Sequence, residues 1–152
     1  MLRFVPFEAR HLDFLDLQPA QNEAREWVRS PEGAARLRAT GIAMTGAEFD
    51  QDGSVRRVAG CAGITHQWRG RALAWTLIGA VDKPEWLAIV RQMAAAIRGA
   101  HLAGVRRIEA TADAAFEPGC RLLDLLGFDE PRQLLRCYSP EGRDHYLYAR
   151  VR

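Results

Sequence analysis

The sequence predicts an α/β domain on a mixed β-sheet, with elements in the order β-α-α-β-β-β-α-β-α-β-β. Three observations carry this. Two strand-like runs, Gly41 to Phe49 and Val55 to Trp68, flank Asp50-Gln51-Asp52-Gly53, and an Asp-Gly step between such runs signals a hairpin. A nearly continuous apolar run, Arg71 to Gly79, then leads into a strongly marked helix start. An alternating strand, Arg106 to Ala112, follows that helix, so the connection is a crossover and part of the sheet is parallel.

The elements follow in order. Leu2 to Phe7 reads as a short strand. From Glu8 to about Ala39 the pattern is helical, broken at Pro19 and at Ser30-Pro31, with His11, Phe14 and Leu15 and later Trp27 and Val28 on an apolar stripe. The hairpin comes next, and the run 71–79 is expected to be a central strand buried on both faces. Asp82-Lys83-Pro84-Glu85 opens the long helix: Asp82 caps it, Pro84 suits the first turn, and Glu85 completes a capping box. Trp86, Val90, Met93 and Ile97 are its expected buried stripe, with Ile89 beside them. In the next strand Ile108 and Ala110 share one face, and Arg107, Glu109 and Thr111 the other. Phe116 to Leu126 is a short helix ended by Gly127. Leu134 to Ser139 and His145 to Val151 close the chain as a hairpin.

Composition excludes several classes. At 152 residues the chain is one domain, 1–152, long enough to bury a core without staples. Its formal charge of +2 is spread along the sequence with no basic stripe, against nucleic-acid binding. Cys61, Cys120 and Cys137 lie far apart, which argues against a disulfide framework or a zinc site and suits a reducing compartment. Met1 to Arg10 lacks the apolar core of a signal peptide and no run reaches membrane-spanning length. The expectation is a cytoplasmic protein without metal, membrane or nucleic-acid partner.

Three segments of the last third carry a family resemblance: RIEATAD at 107–113, FEPGCRLLDLLGF at 116–128 and YSPEGRDHYLYARV at 138–151. The helix closing in Leu-Gly-Phe before a final strand pair resembles the GNAT N-acetyltransferases. Together with PFEARHLDFLDLQPAQ near the start, the segments resemble GNAT-like proteins of tailed phages and prophages. Some of those are described as internal virion proteins and others as N-acetyltransferases. The resemblance implies a GNAT-like acyl-CoA N-acyltransferase fold and acetyl-CoA as the donor. It also implies either a small amine or a protein amine as acceptor, or a partner in a phage virion or host complex.

The resemblance places the cofactor's pyrophosphate at the turn after the fourth strand, on Leu77, Ile78, Gly79, Ala80, Val81 and Lys83. There the free N–H groups of a helix N-terminus would bind it. This turn has one glycine where the family has a pair. Asp82 and Glu85 compete for the same N–H groups, and Pro84 has none. Two carboxylates within about 5 Å of a pyrophosphate oppose it by roughly 1–3 kcal/mol each. Two readings therefore stand, an ordinary helix start and an acyl-CoA site.

The family's tyrosine acid falls on Leu123 and its asparagine on Phe116, both apolar. Glu109 is a candidate base on the strand flanking the acetyl site, or else an arginine-paired glutamate. His66 has the intrinsic pKa for base work, or is a hydrogen-bonded strand end. Tyr138 is a candidate proton donor, or cross-strand packing.

Overall fold

The computed structural model describes residues 1–38, 41–130 and 132–152. Seven strands form one sheet among them: β1 (Arg3–Pro6), β2 (Gly41–Phe49), β3 (Val55–Trp68), β4 (Arg71–Ile78), β5 (Arg107–Asp113), β6 (Gln133–Leu135) and β7 (His145–Val151). Their spatial order is β1-β2-β3-β4-β5-β7-β6, and only β4 and β5 run parallel. The predicted α/β architecture is the one observed.

The helical stretch after β1 is more broken than its periodicity predicts. It forms two 3-10 segments, Ala9–Phe14 and Pro19–Ala24, then two short helices, α1 (Arg25–Arg29) and α2 (Pro31–Arg38). The breaks fall at Pro19 and Ser30-Pro31, where a missing N–H and a fixed φ restart the chain. The predicted end near Ala39 lies outside the described residues. Between the 3-10 segments the chain is extended, and Leu15 and Leu17 bridge to Val58 and Gly79. Phe7, Leu12, Leu15, Leu17, Val28 and Leu37 pack with Val58, Cys61 and Leu77 on one face of the sheet.

The other face carries α3 (Lys83–Leu102) and α4 (Glu117–Leu125). Ile97, Ala100, Leu122, Leu123 and Phe128 pack there against Ala72, Ile108, Ala110 and Tyr148. The α3 stripe differs from expectation in one respect. Ile89 and Ile97 are buried, whereas Trp86, Val90 and Met93 are only partly so. Trp86 and Met93 line a cavity instead of closed core. Gly127 ends the segment after α4 at φ +77°, as its left-handed role requires.

The strands at the centre part company. β4 and β5 pair only at Arg71↔Arg107, Ala72↔Ile108 and Leu73↔Glu109, although β5 stays paired with β7 along its whole length. From Ala74 and Ala110 onward the two diverge into a V, and Ala74 to Thr76 are only half-buried rather than enclosed on both faces. The closing hairpin is shorter than predicted. β6 stops at Leu135, and beyond it Cys137 takes a left-handed φ of +51° while its N–H bonds Asp144 Oδ1.

Glu109 sits at the last paired position. Its carboxylate bonds Arg71 on β4 and Arg107 on β5, and its side chain is 8% exposed. Burial pushes its pKa up, but the hydrogen bonds and charges of the two arginines outweigh this and hold it below the ordinary carboxylate value. A depressed carboxylate contributes stability above its unfolded pKa and loses it as pH falls through the folded value. Glu109→Gln should therefore cost about 1–3 kcal/mol at pH 7. In urea unfolding across pH, the gap between the two proteins should be full at neutrality and shrink progressively as pH falls below the ordinary glutamate value.

Candidate functional site at the parted strands

The V opens into a cavity of about 740 Å³. Its walls are Gly60 to Ile64 of β3, Ala74 to Thr76 and Ile78 of β4, Ala110 to Asp113 of β5, and apolar side chains of α3 and α4. Antiparallel pairing fixes which backbone groups face it. The Gly79 N–H bonds Ala59 C=O, so the odd residues of β4 bond β3 and the even ones, Thr76 and Ile78, turn their N–H and C=O toward the gap. On β5, Ala114 N–H bonds Asp144 C=O, so the even residues bond β7 and the backbone groups of Thr111 and Asp113 face the gap. The ionisable residues on its lining are Asp82, Lys83, Asp113 and Cys61, whose thiol turns into the opposite core beside Thr45.

The β4 edge is not bare. The Gln21 side-chain Nε2 donates to Thr76 C=O at 2.7 Å, and Ile78 N–H donates to Gln21 Oε1 at 2.9 Å. Gln18 N–H donates to Ile78 C=O at 3.0 Å, extending the Leu17–Gly79 bridge. Nothing in the sequence foretold these contacts. They join residues 55 and 57 apart through side-chain amides, which leave no hydrophobic period.

The mouth of the cavity is the turn into α3. The capping box forms in full: Glu85 N–H donates to Asp82 Oδ1 at 2.8 Å, and Asp82 N–H to Glu85 Oε2 at 3.1 Å. Trp86 N–H donates to Asp82 C=O, and Pro84 has no N–H, so within residues 82–86 the Lys83 N–H alone is left over, with the N–H groups of Ala80 and Val81 just before it. Arg57 reinforces the arrangement by bonding Glu85 and, at 2.9 Å, Ala80 C=O. A helix N-terminus that binds its own carboxylates offers a phosphate little.

The candidates from the sequence fall in different places. Ile78, Gly79, Ala80, Val81 and Lys83 line the cavity with Asp82. Leu77 does not, because alternation turns it into the opposite core with Phe7 and Leu12. Gly79 is glycine for a reason unrelated to phosphate: a Cβ there would lie 2.8 Å from the Asp16 C=O and 3.2 Å from Leu15. Glu109 is engaged by two arginines where the strands still pair, outside the cavity wall. His66 lies opposite Ala72 near the end of β3, at the closed base of the V. Tyr138 is half exposed, its ring 5.1 Å from that of His145 in the closing loop. The structure thus brings none of Glu109, His66 and Tyr138 to the cavity. Leu123 and Phe116 do line it, as apolar wall.

The sequence matches no protein-family profile and no curated protein. Solved structures match the fold widely. A protein described provisionally as a phosphinothricin N-acetyltransferase superposes with a TM-score of 0.69 at 16% identity, over 99% of this chain and 98% of its own. An acetyltransferase of the GNAT family from Bacillus anthracis gives 0.64 at 12%, over 99% and 94%. A GNAT superfamily phosphinothricin acetyltransferase from Sinorhizobium meliloti, solved in complex with acetyl-CoA, gives 0.63 at 18%, over 99% and 88%. At these identities the likeness is one of fold: this chain has the fold of the GNAT acetyltransferases. Among the described residues no His, Cys, Asp or Glu group is arranged to hold a metal, and no helix is long and apolar enough to cross a membrane.

The crowding at Gly79 makes a testable distinction. Gly79→Ala should lower stability by about 1–3 kcal/mol through overpacking against Asp16 and Leu15. A glycine kept only for phosphate approach would give a variant of unchanged stability, and thermal unfolding separates the two.

Proposed function

We propose that this chain is an N-acyltransferase that holds an acyl-CoA by its acyl-pantetheine arm in the gap between β4 and β5, with little grip on the pyrophosphate. The observation that carries this is the early end of the β4–β5 pairing, which leaves strand-edge amides facing a mainly apolar cavity. An extended chain with amide groups fits such an edge as another strand would. The acetyl-CoA complex of the Sinorhizobium meliloti relative supports the choice of donor. Ile78, Gly79, Ala80, Val81 and Lys83 would flank the arm.

In the transfer a neutral amine attacks the thioester carbonyl, the C–S bond breaks, and the amine's proton passes through solvent to the departing thiolate. Backbone N–H groups of β4 stabilise the oxyanion. Leu123 and Phe116 supply no proton donor in the wall, so the account expects slow turnover, favouring amines with low pKa. The acceptor is a small amine or a protein amine.

A second reading rests on the self-capped α3 and the occupied β4 edge. In it the domain keeps the fold without chemistry, as a component of a phage particle or a host complex. Calorimetry discriminates. The first reading expects acetyl-CoA and S-acetylpantetheine to bind within about fivefold of each other, with Kd below about a millimolar. Acetyl-CoA binding more than about a hundredfold tighter would show a phosphate grip that this turn lacks. Binding of neither would favour the second reading.

A further inference from the structure

The free edge of β4 has found partners within its own chain, and their chemistry is specific. A neighbouring strand would give Thr76 C=O a donor and Ile78 N–H an acceptor. The Gln21 carboxamide gives both, at 2.7 and 2.9 Å. Its orientation is set, because Oε1 also receives a hydrogen bond from Gln18 Nε2 at 3.0 Å. A side-chain amide thus stands where the amide of an extended ligand would pair.

The segment that carries it is tied to Arg143 at 3.1 Å by the Glu23 carboxylate. None of residues 19–24 is buried, whereas Leu17 before them and Val28 after them are 6% and 4% exposed. Those two anchors sit in the core on either side of it. Low burial is a physical mark of a segment that opens at small cost, although the Gln21 bonds to Thr76 and Ile78 are themselves part-buried. Gln18, Ala20 and Gln21 line the same cavity as Ile78 and Val81, so a shift here enlarges the gap directly.

We propose that Gln21 is an internal stand-in for the ligand amide, a plug that leaves the β4 edge when the acyl-pantetheine arm enters. This rests on the donor reading above and adds a conformational step to it. The plug and the arm compete for Thr76 C=O and Ile78 N–H, so apparent affinity is reduced by the fraction of molecules with the edge covered.

The test uses the full chain and S-acetylpantetheine as probe. In 15N NMR the Gln21 side-chain NH2 signals should move to solvent-exposed values on titration while the Ile78 amide stays protected. Calorimetry should show Gln21→Ala binding the probe roughly five- to 150-fold tighter than the natural chain, the range two ordinary hydrogen bonds allow. Equal binding by both proteins, with the Gln21 signals fixed, would overturn the plug and leave the donor reading standing. Weaker binding by Gln21→Ala would also overturn it, by making Gln21 part of the ligand's own site. Binding by neither protein would overturn the donor reading and the plug with it.

Discussion

Everything at the site follows from where two parallel strands stop pairing. β4 and β5 hold each other through Leu73 and Glu109, and there a single carboxylate spans an arginine from each strand. Past that point β5 follows β7 and β4 follows β3. Each strand keeps one satisfied edge and presents the other to a shared gap. Main-chain groups that lose a strand partner need another in a poorly hydrated setting, because a buried unpaired N–H or C=O is costly. The cavity, its amide-rich rim and the intrusion of Gln21 are consequences of that one divergence.

The two ends of the gap have contrasting chemistry. At the α3 end, carboxylates from Glu85 and Asp82 take each other's N–H groups at the helix start, and Arg57 ties Glu85 and the Ala80 C=O together. Along the strands the wall is alanine, glycine, isoleucine and methionine with backbone amides between. Glu109, the ionisable residue the sequence singles out first, instead ties β4 to β5 at the base of the V.

The fold was largely legible because its signals are local. The Asp52-Gly53 turn, the Asp82–Glu85 capping box and the glycine after Leu126 each act over a few residues, and the structure has each of them. The capping box even announced the self-occupied helix start. Elsewhere long-range contacts decide the outcome. Glu109 alternates with Arg107 and Thr111 as a solvent-facing residue would, yet it is buried, with Arg71, across a crossover, bonded to its carboxylate beside Arg107. Gly79 resembles a ligand-loop glycine until Asp16, distant in sequence, is found against it. Gln21 carried no warning, since a glutamine in a polar stretch reads as surface.

Hydrogen exchange on the amides of β5 tests the divergence most directly. Ala110 and Ala112 bond β7, whereas Thr111 faces the gap beyond the last β4 pair. The account predicts that Thr111 exchanges much faster than both neighbours in the ligand-free protein. Protection of Thr111 equal to theirs would mean that β4 and β5 are joined along their length. No gap would then exist for an acyl chain to enter.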